Sequence, residues 1–125
     1  MRVLLVATLA ALLLSGCTVS TYAAPSGIQG TVWIGPTCPV QRDPPDPDCA
    51  DRRHETTLEL TTADGVFVRR FASDGNGTYR IDVAPGNYAI RSPPEQTLPS
   101  CAAGPVTVVA GDYPTLDVPC DSGIR

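Results

Sequence analysis

Residues 73–92 read SDGNGTYRIDVAPGNYAIRS. Apolar and polar side chains alternate twice along this stretch. Tyr79, Ile81 and Val83 fall on one face of an extended chain, with Arg80 and Asp82 on the other. After Pro85-Gly86 the alternation resumes with Tyr88 and Ile90, with Arg91 on the polar side. Successive side chains of a strand point to opposite faces, so the pattern predicts two half-buried strands. Asp74-Gly75-Asn76-Gly77, just ahead of the first, predicts a hairpin turn to the strand before it. Pro85-Gly86 predicts a type II turn, with proline presetting φ and glycine in the left-handed position.

The same reading extends outward. Short runs rich in β-branched and aromatic residues cover 28–34, 56–62, 66–72, 78–83, 87–91, 105–110 and 114–119. Ala63-Asp64-Gly65 predicts a turn between the second and third, and Ala110-Gly111-Asp112 a last hairpin. No window has helical periodicity, so helix is expected to be close to absent. Seven such runs between turn signals predict an all-β, seven-stranded sandwich. Its expected core faces are Leu58 with Leu60, Tyr79 with Ile81 and Val83, Tyr88 with Ile90, Val106 with Val108, and Leu116 with Val118. Thr107 and Asp117 fall on the opposite faces. About a dozen large apolar side chains make a marginal core for a domain of this size, so covalent staples are expected to help.

On these residues the chain resembles the carboxypeptidase regulatory-like domains. Their pattern is roughly T-D-x-x-G-x-Y-x-h-x-h-x-P-G-x-Y-x-h, with h apolar. Asp74, Gly77, Tyr79, Ile81, Val83, Pro85, Gly86, Tyr88 and Ile90 match it. GIQGTVWI (27–34), with Gly30 and Val32, is similar to the family's opening strand, and TTLELTTADG (56–65) to its second. The ending VTVVAGDYPTLDVPCDSGIR (106–125) resembles that of small bacterial lipoproteins carrying this domain. The resemblance covers 27–125 and implies a transthyretin-like (prealbumin-like, Ig-like) sandwich. In the namesake enzymes this domain is accessory and the zinc peptidase chemistry lies elsewhere, which implies a binding or structural role here. The departure from the pattern is GPTCPVQRDPPDPDCADRR (35–53), an insertion after the first strand.

The N-terminus, MRVLLVATLAALLLSGC, decides the compartment. Arg2 precedes an uncharged run, Val3 to Leu14, too short to span a bilayer but suited to a signal peptide. Leu14-Ser15-Gly16-Cys17 resembles a bacterial lipobox, with Cys17 as the lipidated first residue of the mature chain. The alternative is an ordinary secretory signal with a chance cysteine. The expected organisation is a lipoprotein signal peptide over 1–16, the lipidated cysteine and a tether over 17–26, and one domain over 27–125. Two or three acyl chains, palmitate among them, would hold the protein at the cell membrane or outer membrane, facing away from the cytoplasm. Thr18 lacks the aspartate that retains some lipoproteins at an inner membrane.

Composition narrows the partners. The chain has no lysine; without Arg2, eight arginines face 13 acidic residues, a net charge of about −5. This argues against nucleic acid and against electrostatic binding to anionic lipid heads. The expected partners are the membrane, through Cys17, and a protein or glycan.

An even number of further cysteines in an exported chain points to disulfides. Four allow three connectivities. The expected pairs are Cys38–Cys49, closing a local loop, and Cys101–Cys120, joining strands that a hairpin would make neighbours. A 12-residue ring is worth ~3 kcal/mol on the chain-entropy model, less where proline already restricts the unfolded loop. No C-x-x-C occurs, so the common redox and zinc spacings are absent.

Candidate chemistry is sparse. His54 is the only histidine and no G-x-S-x-G occurs, so no catalytic residue and no cofactor is expected; the enzymatic alternative is an exported hydrolase with a triad through His54. An EF-hand loop begun at Asp74 fails at Tyr79 and Pro85. Asp43, Asp46, Asp48 and Asp51 supply four oxygen donors that could hold Ca²⁺ loosely. Pro44, Pro45 and Pro47 are expected to stiffen that segment into a polyproline path, which splays them as a solvated loop. Trp33, Phe67, Phe71 and Tyr113 could form a carbohydrate-stacking platform, or serve as core and edge cover. A mass spectrum of the membrane fraction is expected to show diacylglycerol on Cys17. A soluble chain with an unmodified cysteine would refute the anchor.

Overall fold

Eight strands and one short 3₁₀ turn account for the regular structure in a computed structural model that describes residues 24–40 and 42–125. The signal segment 1–16, Cys17 and the tether up to residue 23 lie outside the described residues. The strands are β1 (Gly27–Gly35), β2 (Arg52–Arg53), β3 (Thr57–Thr62), β4 (Phe67–Ala72), β5 (Thr78–Asp82), β6 (Gly86–Arg91), β7 (Ser100–Val108) and β8 (Val118–Asp121). The fold is all-β, as the alternation predicts. Among the described residues no helix is long and apolar enough to cross a membrane.

The strands form one curled, mixed sheet in the order β2-β1-β8-β7-β6-β3-β4, with β5 also paired to β1. Only β1 and β8 run parallel. The sheet closes over a single core of Ile28, Val32, Leu58, Leu60, Tyr79, Ile81, Tyr88, Ile90, Cys101, Val108, Val118 and Cys120. Val83, Val106 and Leu116 pack against its margin. The expected apolar faces all point inward.

Three connections differ from the expectation. Asp74–Gly77 is a tight turn: the Asp74 carboxylate accepts from the N–H groups of Asn76 and Thr78, both at 2.9 Å. Its flanking strands nevertheless do not pair, because β4 pairs with β3 and β5 with β1. The turn is an arch held against β1, where the Val32 N–H donates to the Gly77 carbonyl at 2.7 Å. Pro85-Gly86 is not a type II turn, since Gly86 keeps a negative φ and opens β6 directly. That arch is tied by the Tyr88 hydroxyl, which donates to the Ala84 carbonyl at 2.6 Å.

The third difference sets the topology. No hairpin joins runs 105–110 and 114–119. After Gly111 the chain leaves β7 and runs beside β1 in the same direction. The Gly27 N–H donates to Asp112 O, the Gln29 N–H to Pro114 O, and the Leu116 N–H to Gln29 O. Pro114 and Pro119 have no N–H to offer β7, which disfavours an antiparallel ladder there. β7 instead starts early, at Ser100, and absorbs Gly104-Pro105 in a bulge opposite β6, where Gly104 takes a φ of +106°. It meets β8 only at Ser100–Asp121 and Cys101–Cys120.

Both expected disulfides are present. Cys101–Cys120 lies in the core and joins directly paired residues of β7 and β8. The crossover of the last segment, not a hairpin, brings these two together. Cys38–Cys49 closes the loop between β1 and β2. The edge strand β4 is blunted twice. Val68 bulges between the pairs Leu60–Arg69 and Thr61–Phe67, and Arg69, opposite the core residue Leu60, puts a charge on the inward face of the edge.

The two staples are expected to contribute unequally. A Cys101→Ala/Cys120→Ala chain should lose about 3 kcal/mol or more in urea unfolding, since it opens a longer ring and leaves a core gap. Cys38→Ala/Cys49→Ala should lose clearly less; equal losses would contradict this account.

Candidate functional site

β1 divides its side chains between two surfaces. Ile28 and Val32 point into the core, so Gln29, Thr31 and Trp33 point outward. The register places Arg80 beside Gln29 and Thr78 beside Thr31 on one flank. Thr115 lies beside Gln29 on the other flank, and the Asp117 carboxylate accepts from the Thr31 N–H at 3.0 Å. These residues line an open depression of about 630 Å³ on the outer face of β1, with Ser73, Asp74 and Tyr79 at its border.

Two aromatic rings frame this surface through missing side chains on β1. The Tyr113 ring lies where a Cβ on Gly27 would be. The Arg80 guanidinium lies over this ring at 3.7 Å from its centre. Arg80 also donates to Gln29 Oε1 at 2.9 Å, and the Tyr113 hydroxyl donates to Asp82 Oδ1 at 2.6 Å. That bond, then burial, raises the Tyr113 pKa above the usual phenol range. On the core side, Tyr79 crosses β1 at Gly30, and its hydroxyl donates to the Leu116 carbonyl. Burial first, and then the Asp117 charge, push the Tyr79 pKa well up.

The expected stacking platform does not assemble. Phe71 packs against Tyr79 in the core margin with ring centres 5.3 Å apart. Phe67 sits on the β4 edge. Trp33 and Tyr113 share the outer face but stand at opposite ends of β1, roughly 20 Å apart at ~3.3 Å per residue. Each already carries an arginine: Arg53 lies 5.6 Å from the Trp33 ring centre. The surface can therefore offer hydrogen-bonding groups, and stacking only after an arginine moves.

The aspartate loop departs from a polyproline path. Asp46 caps a 3₁₀ turn, Pro47–Cys49, accepting from the Asp48 N–H at 2.9 Å, with Pro47 at the first turn position. Asp51 lies back against Gly35. Asp43 and Asp48 are exposed. Among the described residues no group of three or more His, Cys, Asp or Glu side chains is placed to hold a metal. His54 lies at the end of β2, outside the depression. Its carbonyl accepts from the buried Ser73 hydroxyl at 2.8 Å, which commits that hydroxyl to the backbone.

One charged cluster was not foreseen. Glu59, 3% exposed, lies on the outer face of β3 between core-facing Leu58 and Leu60. Arg70 of β4 bonds it at 2.8 Å and Arg91 of β6 approaches at 3.4 Å; Arg70 also reaches Glu95 at 2.9 Å. The Leu-Glu-Leu order was the available signal, because a carboxylate in a central strand needs neighbouring cations. No family model, curated protein or solved structure matches the chain.

Three carboxylates link this geometry to pH. The Arg70 hydrogen bond lowers the Glu59 pKa against the opposing effect of burial. The Thr78 hydroxyl lowers that of Asp74. Arg125, helped by the Gly123 N–H, lowers Asp121 to about 2. A depressed folded-state pKa means stability that is present above the unfolded value of ~4 and lost as pH falls through the folded value. The urea midpoint is expected to hold down to about pH 5 and to fall between ~4 and ~2. Glu59→Gln should lower the neutral midpoint and flatten that fall; a midpoint that rises on acidification would contradict the assignment.

Proposed function

We propose that this chain is a membrane-anchored extracytoplasmic lipoprotein whose single domain is a non-enzymatic binding or structural module of the cell envelope. The observation that carries the reading is the closure of both disulfides by Cys38, Cys49, Cys101 and Cys120. Paired cysteines, one pair of them in the core, suit an oxidising compartment, and the lipobox-like Leu14–Cys17 supplies the route there. Three features support a carboxypeptidase regulatory-like, transthyretin-like sandwich: the core-facing Tyr79, Ile81, Tyr88 and Ile90, the Tyr88 corner bond, and a curled sheet closing over one core. A binding role is favoured over a catalytic one because the carboxylates and the serine of the depression on β1 are already engaged: Asp74 and Asp117 accept from the N–H groups of Thr78 and Thr31, and the Ser73 hydroxyl donates to the His54 carbonyl.

A second reading is favoured by that depression. Gln29, Thr31, Thr78, Thr115 and Asp117 present donors and acceptors beside one cation, Arg80, which suits a neutral, hydroxyl-rich ligand such as a glycan. A glycan array with Asp117→Ala and Trp33→Ala chains separates the two aromatic and polar contributions. Binding lost with Asp117→Ala and kept with Trp33→Ala is the outcome expected of this surface.

The compartment is tested in intact cells. All four cysteines are expected to resist a thiol reagent until reductant is added. A Cys17→Ser chain should leave the membrane fraction with its disulfides intact. Free thiols in the native protein would refute export.

A further inference from the structure

The two ends of the domain differ in chemistry. One end carries the chain's entry at Ala24, the 63–66 turn, the 83–86 arch and the 109–112 segment. These meet because Gly27 pairs with Asp82, Gly86 pairs with Val108, the Ala63 N–H donates to Asn87 O, and Gly27 bonds Asp112. Among residues 24–27, 63–67, 82–86 and 109–112 the charged side chains are Asp64, Asp82 and Asp112, all acidic and few. Three large apolar side chains stand exposed there, Val66, Phe67 and Val109; the opposite end also exposes three, Val40, Leu98 and Ile124, but among dense charge, so the ends differ in charge rather than in apolar exposure. The opposite end carries the disulfide loop, the Asp74 turn, the 92–99 loop and the C-terminus, where charged side chains are dense. β1 runs from one end to the other, about 30 Å for nine residues.

We infer that the end bearing Val66, Phe67 and Val109 rests on the lipid bilayer, and that the disulfide loop is held at the far end, away from it. This rests on the reading of Cys17 as the lipid anchor. Only six residues lie between Cys17 and Ala24, so the seven steps of chain can span at most ~25 Å. That is less than the length of β1, so the entry end is the one kept near the headgroups. The tether raises the effective concentration of this end at the bilayer, so a few apolar side chains suffice for contact. A second copy of the chain is a poorer occupant. Three side chains spread over the ends of β4 and β7 fall far short of the ~800 Å² per partner that a stable interface buries. The scarcity of charge fits insertion at the interface rather than attraction to anionic heads, since Asp64, Asp82 and Asp112 would oppose the latter.

The test places a single tryptophan at either end in a Trp33→Phe background. Phe67→Trp and Val109→Trp report on the entry end, with Val66→Trp as a substitute should either fail to melt cooperatively; Leu98→Trp reports on the far end. Chains 17–125, which contain the whole described domain, are coupled through Cys17 to a maleimide lipid in phosphatidylcholine–phosphatidylglycerol vesicles. The other cysteines are in disulfides, so Cys17 is the thiol that reacts. On coupling, Phe67→Trp and Val109→Trp are expected to shift to the blue and be quenched by brominated lipid, while Leu98→Trp stays unchanged. The inference is overturned by unshifted entry-end reporters, by equal quenching of Leu98→Trp, or by a shift seen only at high surface density, which would mean a second copy. Chemical coupling makes the result independent of processing in cells. The mass of Cys17 in the native protein decides that separately.

Discussion

β1 is hydrogen-bonded along both of its edges, and the rest of the structure depends on this. On one edge it takes β5 and then β2; on the other it takes the segment that begins at Asp112 and becomes β8. A central strand with an unpaired edge would leave its backbone groups without partners as the core closed. The final segment satisfies that edge by running parallel, which requires it to leave β7 entirely. The crossover then brings Cys120 to Cys101 and carries Val118 into the core and Leu116 to its margin. It also puts Tyr113, Thr115 and Asp117 on the same outer surface as Gln29 and Thr31. One backbone requirement thus builds the core staple and the candidate binding surface together.

Polar burial follows a similar economy. Tyr79 and Tyr88 fill the core with their rings and end their hydroxyls on the carbonyls of Leu116 and Ala84. Glu59 is buried on the outer side of β3, yet it is flanked in register by Arg70 and Arg91. No buried side-chain polar atom among the described residues lacks a partner. Such groups are costly when unpaired, so their full pairing restricts the register in which β3, β4 and β6 can assemble. Arg69 and the Val68 bulge extend that specificity to the edge, where an unguarded strand would invite further pairing.

Much of this was legible because a strand's side chains alternate with period two. Leu58, Leu60, Tyr79, Ile81, Tyr88 and Ile90 could be assigned inward without knowing any partner strand. The disulfide pairs could be chosen from position alone, although the neighbourhood of Cys101 and Cys120 arises from a crossover and not from a hairpin. The illegible part concerns which strand lies beside which. Asp74-Gly75-Asn76-Gly77 encodes a tight local turn, and the structure has one. Whether its flanking strands pair is settled by β1, about 40 residues upstream of the turn. The aromatic platform failed for the same reason. Trp33, Phe67, Phe71 and Tyr113 are all in or near strands, but their faces and neighbours depend on distant segments.

Taken by itself, the chain determined local and one-dimensional properties. It specified an all-β domain, the inward face of most strands, the position of its tight turns, and a cysteine set able to close two rings. Those follow from dihedral preferences and alternation, which act over a few residues. Only the tertiary structure decided the strand order, the parallel return of residues 112–121, the burial of Glu59 between two arginines, and the gathering of low-charge residues at the end where the chain enters. Each of those depends on backbone groups or side chains meeting across tens of residues, and their energies come from contacts that the order of residues does not display.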